Sequence, residues 1–235
     1  MGLENLYLYI NNYIMRGTRL NLRSGFCRLI PAALLFLSSC ASMSTMQTAR
    51  TIAKGEVGFG FGGGMVKSEL PLGDLDTISI NAPFVEASAR YGVTDNLDFG
   101  VKITIIGTAC VDGKYQFMGT KESKLAGAVG IGVGYLSVTS GDWKSKIFDI
   151  MSPLYFSYHP ATWLAVYCSP KYTLRLNSYS DNKNKGTSTS SWYGVTGGMR
   201  LGKRVAFLAE YSYFANSEIS IPFSQITCGI SVGIP

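Results

Sequence analysis

Five cysteines, one histidine and a set of charged residues spaced two apart are the groups in this 235-residue chain whose chemistry asks for an explanation. Cys40 closes a run with a definite order: Arg16, Arg19, Arg23 and Arg28, then apolar Leu29–Phe36, then Leu37-Ser38-Ser39-Cys40. Basic, apolar and small residues in that order make a secretory signal, here ending in a thiol instead of a plain small-residue cleavage site. About ten apolar residues are too few for a membrane helix, which needs roughly 20. The single histidine, His159, stands beside Pro160 in an expected turn. A Ser-His-Asp or Cys-His site would have to use it, and a turn histidine more simply meets solvent. Cys27 lies in the signal. Cys110, Cys168 and Cys228 have no metal-ligand spacing, and an odd number of thiols cannot all pair with one another. Each falls in an apolar pattern that a small hydrophobic residue would satisfy. Gly58–Gly64 and Gly130–Gly134 alternate with apolar residues, whereas a phosphate loop needs a glycine turn leading into a helix with a lysine. The residues therefore point away from an enzyme and away from any metal or dissociable cofactor.

The charged residues sit on strand-like stretches. Period-two alternation runs through Gly55–Val66, Ala82–Val93, Leu97–Ile105, Cys110–Met118, Leu125–Val138, Phe148–His159, Trp163–Leu176, Trp192–Leu201, Arg204–Phe214 and Phe223–Ile234. Such patterns predict strands with one apolar face, ten in all. Cys110–Met118 keeps a second reading, because Asp112-Gly113 is also a turn pair. The other face collects Glu86, Arg90, Asp98, Lys102, Asp112, Lys114, Asp149, Lys171, Arg175, Arg200 and Glu210, with glycines between. A soluble barrel or sandwich would wet this charged face. A membrane barrel inverts the arrangement, apolar face to lipid and charges to the lumen.

The connections separate the two. Those at Thr94–Asn96, Gly119–Ser123, Pro160–Thr162 and Gly202–Lys203 are short. Those at Lys67–Asn81, Thr139–Lys146, Ser178–Ser191 and Asn216–Pro222 are longer and polar, and only Ile106–Ala109 breaks the rhythm. Alternating short turns and long loops are the signature of an up-and-down outer-membrane barrel, and an even strand number returns both chain ends to one rim. Tyr91, Phe156, Tyr158, Trp163, Tyr193 and Tyr213 fall near strand ends, where interface girdles would place them.

Composition agrees. After residue 39 the chain carries 17 basic and 14 acidic residues, net +3, with no basic block, so nucleic-acid binding has no support. Glycine is abundant at 27 and charge is low at 15%, as in an exported barrel.

The four residues ending at Cys40 resemble the lipobox of bacterial lipoproteins. With the strand Gly55–Gly62, the hairpin Ala89–Gly100 and the closing run Gly229–Ile234, nearly all of the chain after Cys40 resembles small bacterial outer-membrane β-barrel lipoproteins. The chain departs from barrel proteins that end on an aromatic residue, since it ends Ile234-Pro235. The resemblance implies a cleaved signal over residues 1–39, an acylated Cys40 and a tether over 40–54 between lipid and first strand. The all-β, antiparallel up-and-down transmembrane barrel then occupies 55–235, with both termini periplasmic. Residues 1–14 do not fit a signal, and Met15 would give a compact basic start. The expected partners are membrane lipid and the machineries that export lipoproteins and assemble barrels.

Function then rests on the lumen, where Glu86, Arg90, Asp98, Lys102, Lys171, Arg175, Arg200 and Glu210 are the charge candidates. Ten strands lie near the size at which side chains fill a barrel. The expectation is a structural or narrow-pore barrel, passing at most a small solute. The alternative is a surface lipoprotein binding a ligand or host through its outer loops, with a lipid-modifying enzyme third.

Overall fold

The computed structural model describes residues 43–72, 76–105, 107–140, 143–180, 185–216 and 222–235. The signal region 1–39 and Cys40 lie outside the described residues. Ten strands follow one another: β1 (Val57–Leu72), β2 (Asp76–Thr94), β3 (Leu97–Thr104), β4 (Ala109–Met118), β5 (Leu125–Ser140), β6 (Trp143–Ala161), β7 (Leu164–Ser180), β8 (Lys185–Gly202), β9 (Val205–Asn216) and β10 (Phe223–Val232). Each pairs antiparallel with its chain neighbours. β1 also pairs antiparallel with β10, from Phe59 opposite Val232 to Ser68 opposite Phe223, so the sheet closes into a barrel with no free edge. The stretch at Asp112-Gly113 is strand, paired to β3 and β5.

Side-chain alternation fixes inside and outside. Phe59, Phe61, Val101, Ile103, Ile131, Val195, Phe207 and Ile230 project outward and are exposed on the barrel wall. Glu86, Arg90, Asp98, Lys114, Asp149 and Glu210 project inward and are buried. Apolar side chains outside and ion pairs inside suit a wall bathed in hydrocarbon, where the ring of strand pairs also satisfies the backbone. Tyr91, Phe156, Tyr158, Trp163, Tyr193 and Tyr213 all lie on the outer surface. Cys168 and Cys228 lie there too, Cys110 is turned inward, and all three are free thiols.

The longer connections are largely strand. Loops were expected over 67–81, 139–146 and 178–191; β1, β2, β5, β6, β7 and β8 instead run on to Leu72, from Asp76, to Ser140, from Trp143, to Ser180 and from Lys185. The outward apolar pattern stops near Met65, Val85, Tyr135 and Tyr193, but ladder hydrogen bonds do not need an apolar face, and pairing continues through polar residues. β2 and β6 reach 19 residues, against the roughly 9–11 that cross a bilayer. β3 and β4, with 8 and 10 residues, make a low hairpin, which accounts for the break in rhythm at Ile106–Ala109. One rim is therefore even and carries short turns. The other is uneven, with three tall hairpins.

Residues 43–54 depart most from expectation. Residues 43–54 do not run as a tether outside the barrel. Met43 to Ile52 lie almost wholly buried within the lumen. The segment reaches the even rim at Lys54, which bridges Gly92, while Gly55 N–H donates to Gly92 O (2.8 Å).

Ile131 stands midway along the apolar band of β5, 67% exposed. Ile131→Lys should lower the unfolding free energy in lipid vesicles by about 2–4 kcal/mol in a urea titration. Thr189→Lys, on the tall part of β8, should change it by less than about 0.5 kcal/mol.

Candidate functional site

The lumen gathers the chemistry-bearing residues. Cross-strand register explains how. Arg90 on β2 and Asp112 on β4 both face Gly100 on the intervening β3. A Cβ on Gly100 would meet Arg90 Cζ at 2.8 Å and Asp112 Oδ1 at 2.9 Å. Glycine leaves the gap across which Arg90 Nη1 reaches Asp112 Oδ2 at 2.8 Å. The same device recurs at Gly198 on β8, which lies between Tyr167 and Glu210. A Cβ there would strike the Tyr167 ring at 2.6 Å, and in its absence Tyr167 OH donates to Glu210 Oε1 at 2.8 Å.

Three charge clusters are found among the described residues of the lumen. Arg90 donates through Nε (3.1 Å) and Nη2 (2.6 Å) to Asp98 Oδ1, and the fully buried Lys114 ammonium stands 3.6 Å from Asp98 Oδ2. Nearer the tall hairpins, Arg175 pairs with Asp149 through Nε (2.8 Å) and Nη2 (2.9 Å). Lys102 stands 3.7 Å from Glu86. Beyond these, Phe84, Val66, Phe214 and Phe223 form an apolar layer inside the barrel, with Phe214 and Phe223 stacked at 5.1 Å. Lys171 lies over Phe214 at 5.8 Å and Arg175 over Trp192 at 5.6 Å, both within cation–π reach.

Residues 43–52 occupy the space between these groups, and wall side chains hold their backbone. Lys171 Nζ donates to Met43 O (2.6 Å) and Lys102 Nζ to Ser44 O (2.8 Å). Glu210 accepts the N–H groups of Thr45 (3.0 Å) and Met46. Lys114 Nζ donates to Thr48 O (3.2 Å) and Arg50 O (2.7 Å). Ser157 Oγ accepts from Ala49 N (3.2 Å), Gln116 Oε1 from Thr51 N (2.9 Å) and Asp98 Oδ2 from Ile52 N (3.0 Å). Side chains add to this: Ser44 Oγ donates to the Glu86 carboxylate and Thr48 Oγ1 to Pro235 O (2.9 Å), Gln47 Oε1 accepts from Lys114 (3.0 Å), and Arg50 and Thr51 donate to Ser123 O (2.7 Å) and Asp95 O (2.6 Å). Met43 closes the run by packing into the aromatic layer. The space left between segment and wall, bounded by Ser44, Arg90, Lys102, Tyr155 and Lys171, is a cavity of about 50 Å³, enough for a few waters.

The eight charge candidates thus divide. Glu86, Arg90, Asp98, Lys102, Lys171 and Glu210 meet around the segment. Arg175 belongs to its own pair with Asp149. Arg200 sits at the even rim and donates to Gly202 O (2.7 Å), Lys203 O (2.5 Å) and Ile234 O (3.0 Å), tying down the chain end. His159 is buried near the same rim, its Nε2 3.0 Å from Ser157 Oγ. That serine oxygen is covered by the Ala49 N–H, so the Ser–His pair faces the segment and not an open cleft.

No family model matches the chain, and no curated protein matches it in sequence. Solved structures match its shape. The outer-membrane protease OmpT of Escherichia coli aligns over 77% of this chain and 98% of its own, at 10% identity and a TM-score of 0.51. Neisserial surface protein A aligns over 75% and 96% at 15% identity, TM-score 0.42, and the attachment invasion locus protein Ail of Yersinia pestis over 75% and 98% at 11%, TM-score 0.34. The chain has the fold of a bacterial outer-membrane β-barrel. At such identities the likeness is to the wall alone, and the lumen must be read from its own residues.

Sequence reasoning placed the inward charges but passed over Gln116, Tyr155, Tyr167 and the aromatic layer as parts of the site. Their inward parity was the available signal. Asp98 ties the segment to the wall, accepting from Arg90 and Ile52 and facing Lys114. Asp98→Ala leaves two buried cations short of their carboxylate and should cost about 3–5 kcal/mol in denaturant unfolding.

Proposed function

We propose that this chain is an outer-membrane barrel lipoprotein with a structural role, kept closed to solutes by its own N-terminal segment. The observation that carries this reading is the occupied lumen: residues 43–52 are bound along their backbone by wall side chains, and the cavity beside them measures about 50 Å³. In this reading the even rim faces the periplasm and the tall hairpins face outward, following the usual asymmetry of such barrels. Cys40, which follows the basic and apolar signal residues, receives the lipid, and the partners are membrane lipid, the lipoprotein-export machinery and the barrel-assembly machinery. The charged lumen residues act as a packed lattice that positions the segment. A hydrolase or lipid-modifying role gains nothing from the one histidine, which lies at the even rim beneath Ala49.

A second reading draws on a separate observation. The hairpins β1–β2, β5–β6 and β7–β8 rise well beyond the apolar band. Hairpins of that length at an outer surface would present a binding face for an external ligand or host molecule, with the closed barrel as its mount.

Single-channel recording in a planar bilayer separates closed wall from pore. After a heat-modifiable gel shift has verified folding, the full protein should insert and stay silent; discrete ion-selective steps would overturn the closed reading. Lipidation is read separately. Labelled palmitate should enter the wild-type protein and be absent from Cys40→Ser, while the gel shift of the barrel persists in both.

A further inference from the structure

We propose that the lumen is a binding channel for extended polypeptide, and that residues 43–52 are its resident ligand held in cis. The chemistry of the contacts carries this. Nine hydrogen bonds join wall side chains to main-chain N–H and C=O groups between Met43 and Ile52, and a similar number reach the side chains of Ser44, Gln47, Thr48, Arg50 and Thr51. Cationic Lys171, Lys102 and Lys114 present donors where the segment shows carbonyls. Anionic Glu210 and Asp98, with Gln116, present acceptors where it shows N–H groups. Such an array recognises a peptide backbone, and the bonds to the side chains of Ser44, Gln47 and Thr51 add a preference for polar residues at those places.

The wall does not depend on the segment. The ten strands close on one another through their own ladders, and the segment joins the sheet only at the Lys54–Gly92 bridge. The lumen charges also pair across the wall without it: Arg90 with Asp98 and Asp112, Lys102 with Glu86. Removing the segment leaves a polar, water-filled channel and not a collapsed apolar core. The side chains set the class of ligand. Thr48, Ala49 and Thr51 are fully buried, and the Met46 methyl lies 3.2 Å from the position a Cβ on Gly62 would take. The channel therefore suits a run of mostly small and polar residues, with room for a methionine at two places, Met43 against the aromatic layer and Met46 beside Gly62.

The test keeps the full chain. A protease recognition sequence is inserted between Lys54 and Gly55, where the chain is exposed at the even rim, and the protein is cut after folding. A fluorescent synthetic peptide spanning Met43–Lys54 is then added and its anisotropy followed. Binding to the cut protein by exchange with the severed segment is the expected result, with the uncut protein binding none. Methylating the peptide nitrogens of Thr45 and Met46 removes both hydrogens that Glu210 accepts and should weaken binding by about tenfold or more. A peptide with Thr48 replaced by alanine loses one side-chain bond to the wall, that to Pro235 O, and should bind within a few-fold of the original. No exchange after cutting would overturn the proposal, and so would equal binding of the methylated peptide. The conductance of the uncut protein reports on the closed-wall reading alone, so the two can fail separately.

Discussion

The pairing of β1 with β10 is the contact on which everything else rests. Ten residue pairs along that seam turn a meander of hairpins into a ring. An open sheet of this sequence would expose two unpaired edges and a face of ion pairs with nowhere dry to sit. Once the ring is closed, alternation does the remaining sorting. Every second side chain enters a confined lumen, and its neighbours stand on an outer surface that is apolar from Val57 to Met65 and from Ile226 to Val232.

Confinement then sets the rules inside. A lumen bounded by ten strands has no room for a long side chain at every inward position. Glycines at 100 and 198 make the room, each standing on the strand between two partners that meet across it. The buried charges Arg90, Asp98, Asp112 and Lys114 lie close enough to offset one another. Asp98 and Lys114 turn their remaining hydrogen-bonding capacity to the backbone of residues 43–52. Buried ionic groups add little net stability compared with apolar packing of the same volume. What they contribute here is direction: fixed donors and acceptors aimed at a chain running along the barrel axis.

Much of the wall was legible in the sequence. The strict alternation at Leu97–Ile105 or Arg204–Phe214 sorts residues onto two faces, so strand number followed from period alone, while the rhythm of short and long connections turned the apolar face to lipid. The hairpin heights did not, because the polar residues of β1 beyond Val66 and of β8 before Trp192 carry no apolar stripe even though they are paired. The luminal segment was invisible for a deeper reason. Met43 to Ile52 has no period: about half of its wall bonds are made by backbone groups that every residue possesses, and the side chains that make the rest follow no regular spacing. The inner aromatic layer sits between these cases. Phe84, Phe214 and Phe223 share parity with the lumen charges, but the rule that apolar residues face lipid pulls the eye the other way.

The position of the segment within the chain imposes an order of events on assembly. Residues 43–54 immediately precede β1, and β1 is one lip of the seam that β10, the last strand, must close. While that seam is open, the segment can be laid sideways into the curling sheet, with Lys54 and Gly55 hinged against Gly92. After closure it can enter only end-on, against a rim where Arg200 already grips the backbone of Ile234. The first residues of the barrel region to be synthesised thus have a time limit set by the last.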